Sequence, residues 1–276
     1  MNVPVWHILG TGSIGSLFAR RLAATGFPVV PLPRGSTRTP PPALLMVCTK
    51  VQDTEDALLP HITGSGTGQL AMLLQNGMGM AERLRARWPD LRLWNAVTTA
   101  GAWRDAGNVL HVVAEGETRA GRHDTAGHAV LDDGVLALAA AGLLTVDEPI
   151  LPVLWRKLAV NAVINPLTAL HGCRNGELET HPETRSLLAP LAAEIDAVAR
   201  TEGVALDTLA LATSVLRSTA GNFSSMNRDL AQGRRTEIGF ITGHVVACAQ
   251  RHGIDVPLNR ALLEAVLQRE TPPAGA

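Results

Sequence analysis

The stretch His7-Ile8-Leu9-Gly10-Thr11-Gly12-Ser13-Ile14-Gly15 decides the fold of the first half of the chain. An apolar, strand-like run leads into glycines spaced G-x-G-x-x-G, and a helical pattern follows. In such a turn the first glycine permits the bend, the second lets backbone amides approach a pyrophosphate, and the third lets helix and strand pack closely. A plain tight turn is the competing interpretation, because 26 of 276 residues are glycine. The strand before the glycines and the helix after them favour dinucleotide binding.

Working outward from this turn, short apolar runs alternate with helical patterns through the first half of the chain. The predicted strands are residues 5–9, 29–32, 44–48, 70–74 and 91–98, and the predicted helices are residues 14–25, 54–59 and 80–87. This alternation is typical of βαβ units with a parallel sheet. Residues 109–120 are apolar and β-branched without a helix between, which predicts antiparallel strands at the end of the sheet.

The periodicity changes after Pro152, where long stretches with a 3.6-residue repeat follow one another. Helices are predicted at residues 153–171, 182–202, 205–220, 237–252 and 259–267, and the tail 271–276 is expected to fray. The predicted class is therefore α/β: a Rossmann-like dinucleotide-binding domain at residues 1–149, followed by an all-α domain at residues 150–276 that binds substrate and carries catalysis. The boundary falls near residues 148–152.

Composition excludes several classes of protein. Lys and Arg (24) nearly balance Asp and Glu (25), which argues against nucleic acid or an anionic membrane as the partner and favours a small metabolite. We expect no signal peptide, and no apolar run reaches the roughly 18 residues that span a bilayer. Three scattered cysteines suit a reducing cytoplasm better than disulfides or a metal site. The absence of Tyr rules out a tyrosine acid.

The end of the second predicted strand bears on the choice of cofactor. An NAD site usually has an acidic residue about 20 positions beyond the glycines, but Arg34 occupies that place. A guanidinium can bind a 2′-phosphate bidentately, which favours NADPH/NADP+. Lys50, at the carboxyl end of the next strand, could add a second charge. For each of the two, a solvated surface cation remains the alternative.

A polar stripe stands out in the first predicted helix of the second half. Lys157, Asn161 and Asn165 are four residues apart, so a helix places them on one face among apolar neighbours. Buried polar groups need partners, and a bound carboxylate and carbonyl would supply them. Two alternatives stay open: Asn165 before Pro166 could cap a new helix, and Lys157 could be exposed.

These motifs resemble a known family. The run from Leu154 to Leu178 is similar to the signature region of ketopantoate reductases (2-dehydropantoate 2-reductases). Three shorter blocks agree with it: Gln75-Asn76-Gly77-Met78-Gly79, Asn222-Phe223-Ser224-Ser225-Met226 and Arg235-Thr236-Glu237-Ile238. The resemblance implies an NADP-dependent oxidoreductase that reduces ketopantoate to pantoate in pantothenate and coenzyme A biosynthesis. We expect the protein to be cytoplasmic and to be a monomer or a homodimer.

The resemblance also implies roles for individual residues. Lys157 matches the proton donor to the carbonyl, and Glu237 matches an acidic residue that reaches the cofactor ribose or the substrate hydroxyl. Asn76 would lie beside the nicotinamide and the substrate. The other implied substrate contacts are Asn161, Asn165, Asn175, Asn222, Ser224 and Ser225, of which Ser225 would receive the carboxylate. The implied cofactor contacts are Gly10, Thr11, Gly12, Ser13, Ile14, Gly15, Arg34, Lys50, Asn76 and Glu237.

The sequence departs from the family after Arg34. Only nine residues, from Gly35 to Ala43, precede the next strand, where family members usually carry further elements, so an edge strand is expected to be missing. That loss puts the NADPH preference in doubt more than the hydride chemistry. Two other hypotheses about function stay open: a related D-2-hydroxyacid dehydrogenase acting on another 2-keto acid, and a dinucleotide-sensing protein without activity. The presence of Lys157, Asn161, Asn165, Ser225 and Glu237 disfavours the last.

Overall fold

A computed structural model describes residues 4–33, 35–36, 43–105, 107–123 and 129–270, with backbone alone at 129–131. The chain divides into two compact units. Unit 1 consists of Met1–Gln75 and Gly79–Ile150, and unit 2 consists of Asn76–Met78 and Leu151–Ala276. A three-residue piece from the first half of the chain therefore belongs to the second unit, and we describe each unit by itself.

Unit 1 is built on a seven-stranded sheet. Its strands are β1 (Trp6–Leu9), β2 (Val29–Leu32), β3 (Ala43–Val47), β4 (Gln69–Leu73), β5 (Arg92–Thr98), β8 (Thr118–Arg122) and β9 (Thr145–Val146). They are ordered β2-β1-β3-β4-β5-β8-β9. The first five pair in parallel, β8 runs antiparallel to β5, and β9 is parallel to β8. Strands β3 and β4 are buried throughout, as expected where helices cover both faces.

The remaining elements of unit 1 pack around this sheet. Its helices are α1 (Ser13–Ala24), α2 (Thr54–Leu58), α3 (Met80–Arg87) and α4 (Ala129–Ala140). Two further strands, β6 (Gly101–Arg104) and β7 (Leu110–Ala114), form a separate antiparallel hairpin that packs against α1. Asp132 of α4 is buried and accepts hydrogen bonds from Arg92, Trp94 and Arg122. This paired carboxylate fastens α4 to β5 and β8.

Unit 2 is helical in the residues that the structure describes. Its helices are α5 (Leu151–His171), α6 (Glu177–Thr180), α7 (Pro182–Thr201), α8 (Thr208–Ser218), α9 (Ser225–Ala231), α10 (Thr242–His252) and α11 (Pro257–Glu270). The central helix α5 packs against α7, α8, α9 and α11. Trp155, Leu167, Leu191 and Val245 are nearly inaccessible to solvent in a core that all the long helices share.

The predicted fold class is confirmed, because a mostly parallel sheet is followed by helices. The antiparallel strands predicted near residues 109–120 are present, but β6 and β7 form their own sheet and only β8 joins the main one. Helix α10 begins at Thr242, not at residue 237, after a 3-10 turn at Ile238–Phe240. Within the described ranges no strand lies beyond β2 at that edge. The short connection at residues 37–42 and the tail 271–276 lie outside them.

Candidate active site

The glycine turn joins β1 to α1 as the motif predicts. Gly10 has φ +94°, a conformation that favours glycine, and a Cβ there would come within 2.6 Å of the Thr49 amide nitrogen. A Cβ on Gly15 would overlap the Gly10 carbonyl oxygen. Gly12 differs, because a Cβ built there meets nothing within 4 Å. The turn is closed on the protein side by Gly10 and Gly15 and open at Gly12, a shape that fits an approaching phosphate.

The other residues of the turn are placed to take part in anion binding. Thr11 is exposed, while Ser13 and Ile14 are half-buried in the first turn of α1. Free amides at a helix N-terminus attract anions. Lys50 is half-buried just beyond the carboxyl end of β3, whose neighbour in the sheet is β1. The glycine turn and Lys50 thus follow adjacent strands. Arg34 lies outside the described residues.

In unit 2, the predicted polar stripe lies on one unbroken helix. Helix α5 continues through Pro166, so Asn165 does not cap a new helix and that alternative is wrong. Asn165 is buried, while Lys157 and Asn161 are half-buried. Burial lowers the pKa of Lys157 to about 8, and the negative charge of Glu237 opposes part of this decrease. The alternative of a fully exposed lysine is therefore wrong as well.

Asn76 joins this site because its short segment folds with unit 2. The Asn76 Nδ2 donates a hydrogen bond of 3.0 Å to the Glu237 Oε2. The Met78 amide donates to the Phe240 carbonyl at 2.8 Å. Gly77 has φ +89°, and a Cβ on it would overlap the Phe240 backbone. Glu237 thus accepts a hydrogen bond from Asn76 and acts on Lys157 through its charge, within a single unit.

Asn175 and Asn222 belong to two loops that pair with each other. The Asn175 amide donates to the Asn222 carbonyl at 2.9 Å, and Asn175 Nδ2 donates to Thr219 Oγ1 at 2.8 Å. Asn175 is 7% exposed, and its Oδ1 has no hydrogen-bond partner among the described residues. A buried acceptor without a partner is costly, so this oxygen is suited to a ligand donor. The Asn222 side chain is exposed.

The two serines before α9 have different surroundings. Ser224 is buried, and its Oγ accepts hydrogen bonds from the Asn227 amide at 3.1 Å and from Thr168 Oγ1 at 2.7 Å. It therefore caps α9. Its hydroxyl accepts both of these bonds and keeps one proton to donate, so its contact with substrate stays a prediction. Ser225 is exposed at the first position of the helix and keeps its hydroxyl on the surface.

Sequence reasoning missed two residues that hold these parts together. Asn227 Nδ2 donates to the Thr168 carbonyl at 2.6 Å and lies 3.3 Å from the Cys173 carbonyl. Thr168 Oγ1 contacts Ser224, as described above. Together Thr168 and Asn227 tie α5 to α9 and to the loop before Asn175. A serine before a helical run, as at Ser224, is a helix-cap signal, but it does not indicate the contacts that Thr168 and Asn227 make.

The arrangement in unit 2 suits chemistry at a carbonyl group. A lysine with a pKa of about 8 is mostly protonated at neutral pH yet gives up its proton far more readily than an ordinary lysine. The neutral amides on the same helix can orient a carboxylate or hydroxyl without adding charge. No group of three or more metal-ligating side chains occurs among the described residues. No described helix is long and apolar enough to cross a membrane.

Comparison with known proteins agrees with this geometry. Residues 31–125 match the family described as ketopantoate reductase PanE/ApbA, and residues 150–270 match its C-terminal part. The 2-dehydropantoate 2-reductase of Yersinia pestis is 38% identical over 83% of this chain and 74% of its own. That of Vibrio cholerae is 32% identical over 96% of this chain and 97% of its own.

The fold agrees with these sequence relatives. A crystal structure of a PanE/ApbA family ketopantoate reductase from Ralstonia eutropha JMP134 superposes with a TM-score of 0.82 at 26% identity. It covers 96% of this chain and 98% of the other. Identity above 30% over most of two chains, with matching family segments in both halves, leaves one assignment: this chain belongs to the ketopantoate reductase family.

Proposed function

We propose that this protein reduces 2-dehydropantoate (ketopantoate) to (R)-pantoate with NADPH, a step toward pantothenate and coenzyme A. The observation that carries the proposal is the amine of Lys157 on α5, whose pKa burial lowers to about 8 and which the charge of Glu237 acts on; Glu237 in turn accepts a hydrogen bond from Asn76. Family relatives named 2-dehydropantoate 2-reductase support this substrate over that of a D-2-hydroxyacid dehydrogenase for another acid. They likewise disfavour a sensor without activity.

The first domain of the proposed division, residues 1–149, would bind the cofactor; it differs from unit 1 only by including Asn76–Met78 and leaving out Ile150. Gly10, Gly12 and Gly15, with the amides of Thr11, Ser13 and Ile14, would hold the pyrophosphate, and Arg34 and Lys50 would bind the 2′-phosphate. The open space at Gly12 and the close packing at Gly15 fit such a group. When bound, the reduced nicotinamide supplies the hydride.

The second domain of the proposed division, residues 150–276, would bind the keto acid and supply the proton; unit 2 has Asn76–Met78 in addition and lacks Ile150. Lys157 Nζ donates a proton to the carbonyl oxygen, where negative charge develops as the ketone becomes an alcohol. Glu237 favours the charged form of Lys157 and fixes Asn76 through their hydrogen bond. The carboxylate and hydroxyl of the substrate would contact Asn161, Asn165, Asn175, Asn222 and Ser225, and the unpartnered Asn175 Oδ1 suits a hydroxyl donor.

Initial rates test this proposal directly. The purified protein is assayed with ketopantoate, phenylglyoxylate and a branched 2-keto acid, each with NADPH and with NADH. We expect the highest kcat/KM for ketopantoate with NADPH. Higher efficiency with phenylglyoxylate or the branched acid would replace the substrate assignment, and no turnover of any keto acid would overturn the proposal.

Compartment and assembly belong to the same proposal. Cys48, Cys173 and Cys248 are free thiols, which supports a reducing compartment such as the cytoplasm. The site residues of each unit come from one chain, which is compatible with a monomer and with a homodimer. Light scattering of the purified protein distinguishes these two states.

A further inference from the structure

The hairpin of β6 and β7 is fastened to α1 at both ends of the helix. Near the end of α1, Arg21 donates hydrogen bonds to the carbonyl and carboxylate oxygens of Glu115. Near its start, the Arg104 Nη2 donates to the Ser16 Oγ at 2.6 Å. The hairpin therefore reaches the part of the helix that adjoins the glycine turn.

The side chain of Arg104 is held in place by its own hairpin. Its Nη1 lies 2.7 Å from the Asn108 carbonyl oxygen and 3.2 Å from Asn108 Oδ1. On the β6–β7 pair, Trp103 stacks on His111 with ring centroids 4.6 Å apart, and His111 contacts Asp105 at 2.7 Å. These contacts leave the second guanidinium nitrogen directed at Ser16.

The hydrogen bond to Ser16 has only one possible direction. A guanidinium donates and never accepts, so Ser16 Oγ accepts from Arg104. The serine has one proton left to donate, and the Thr11 carbonyl oxygen lies 3.1 Å away. Arg104, Ser16 and Thr11 thus form a relay with a fixed order of donors that ends inside the glycine turn.

The last hydrogen bond of this relay orients the peptide between Thr11 and Gly12, in the turn where the cofactor is proposed to bind. The peptide between Thr11 and Gly12 is trans, so the Gly12 N–H points opposite to the Thr11 carbonyl. Because the Thr11 carbonyl is held toward Ser16, the Gly12 N–H is directed away from Ser16. Gly12 is also the glycine of the turn whose Cβ position is open, and there a phosphate can approach the backbone.

We propose that Arg104 is a positioning residue for the cofactor. Through Ser16 it fixes the Thr11–Gly12 peptide so that the Gly12 amide is preorganised for the pyrophosphate. This inference rests on the proposed binding of NADPH by the glycine turn. It assigns a role in affinity to a residue of the hairpin, which neither the glycine motif nor the family resemblance singles out. Arg104 itself need not touch the cofactor.

The test compares NADPH dissociation constants, measured by fluorescence titration. The variants are Arg104→Met, Ser16→Ala, the double variant and Arg104→Lys. We expect about a tenfold weaker affinity for each of the first two and no further loss in the double variant, because both break one relay. Arg104→Lys keeps an obligate donor and should recover most of the affinity. Both kcat at saturating NADPH and KM for ketopantoate should stay within about twofold.

Arg21→Met is the matched control, because it releases the other end of the hairpin and leaves the relay intact. We expect it to lower the melting temperature without changing the NADPH dissociation constant. Unchanged affinity in Arg104→Met, equal weakening in Arg21→Met, or additive losses in the double variant would each overturn the inference. A wild-type protein that binds neither NADPH nor NADH would instead overturn the proposed function, together with this inference.

Discussion

The glycine turn of unit 1 and the polar stripe of unit 2 illustrate two ways of building a site. In the turn, the groups that would bind are backbone amides, and the side chains matter chiefly by being absent at Gly10, Gly12 and Gly15. In the stripe, the chemistry resides in side chains such as Lys157 on an unbroken helix. Binding at the turn should therefore be impaired by added side-chain atoms, and chemistry at the stripe should be impaired by the loss of side-chain atoms.

This contrast predicts where substitutions act. A change at Lys157 can remove the chemistry and leave cofactor binding intact, since the glycine turn belongs to the other unit. A change in the turn acts on affinity through steric overlap. Five substitutions test this division, and they follow from the largest expected effect to the smallest.

Lys157→Ala should lower kcat by two or more powers of ten, because the proton donor is lost. NADPH affinity should stay within about twofold of wild type, since Lys157 is not among the residues assigned to the cofactor. Steady-state rates and a fluorescence titration measure the two quantities. The matched control is Arg156→Ala, which removes an exposed cation one position away and should leave kcat unchanged. Similar turnover in both variants would remove the acid role from Lys157.

Alanine substitutions at Gly15 and Gly12 should affect protein stability differently, although both should weaken NADPH binding. Gly15→Ala places a Cβ against the Gly10 carbonyl and should lower both stability and affinity, with a loss of about 1–3 kcal/mol in the free energy of unfolding. Gly12→Ala meets nothing in the protein, so we expect a change of less than about 1 kcal/mol. Its NADPH affinity should nevertheless fall about tenfold, because the phosphate needs that space.

Denaturant titration and NADPH binding of the two glycine variants provide the comparison. Full NADPH affinity in Gly12→Ala would contradict the assignment of that open space to the phosphate. Equal losses of stability in Gly12→Ala and Gly15→Ala would show that the two glycines have the same structural role.

Arg34→Ala should weaken NADPH about tenfold and leave NADH affinity within about twofold, because a guanidinium–phosphate pair forms only with the phosphorylated cofactor. Arg20→Ala removes an exposed cation of α1 and serves as the control for net charge. The dissociation constants of NADPH and NADH, measured for each variant, show whether Arg34 binds the 2′-phosphate. Equal weakening of NADPH and NADH would show that Arg34 does not recognise the 2′-phosphate.

Glu237→Gln should have a smaller effect, visible in the pH profile. The carboxylate raises the pKa of Lys157 against the desolvation that lowers it, so its neutralisation moves that pKa below about 8. Reduction needs the protonated amine, and the alkaline decline of kcat/KM should therefore begin at lower pH. The amide can still accept from Asn76, which keeps the geometry. A profile displaced to higher pH would contradict this reading of Glu237.

Sequence periodicity predicted most of the fold but failed where a helix lacks a polar face and where long-range contacts set the end of an element. Helix α4 was missed because Ala129–Ala140 is mostly apolar, with Asp132 and Asp133 side by side, and lacks a polar face. The late start of α10 reflects the turn at Ile238–Phe240, where the Phe240 carbonyl accepts from Met78, a residue distant in sequence. A hydrogen-bond partner this distant in sequence cannot be predicted from local periodicity.

The candidate site shows the same limit. The spacing of Lys157, Asn161 and Asn165 was sufficient to place them on one helix. The membership of Asn76 in unit 2 could not be predicted, because it depends on the fit of Gly77 against the Phe240 backbone. Ser224 also accepts a hydrogen bond from Thr168 of another helix, a contact that local spacing does not reveal, and resemblance alone assigned this serine to the substrate.

The central claim is that the amine of Lys157, with its pKa lowered by burial, protonates the keto acid. It is tested most directly by kcat/KM for ketopantoate at saturating NADPH between pH 6 and 10. We predict a plateau at low pH and a tenfold decrease per pH unit above about 8, the pKa of Lys157. A profile that stays flat to pH 10, or that rises through pH 8, would contradict the account.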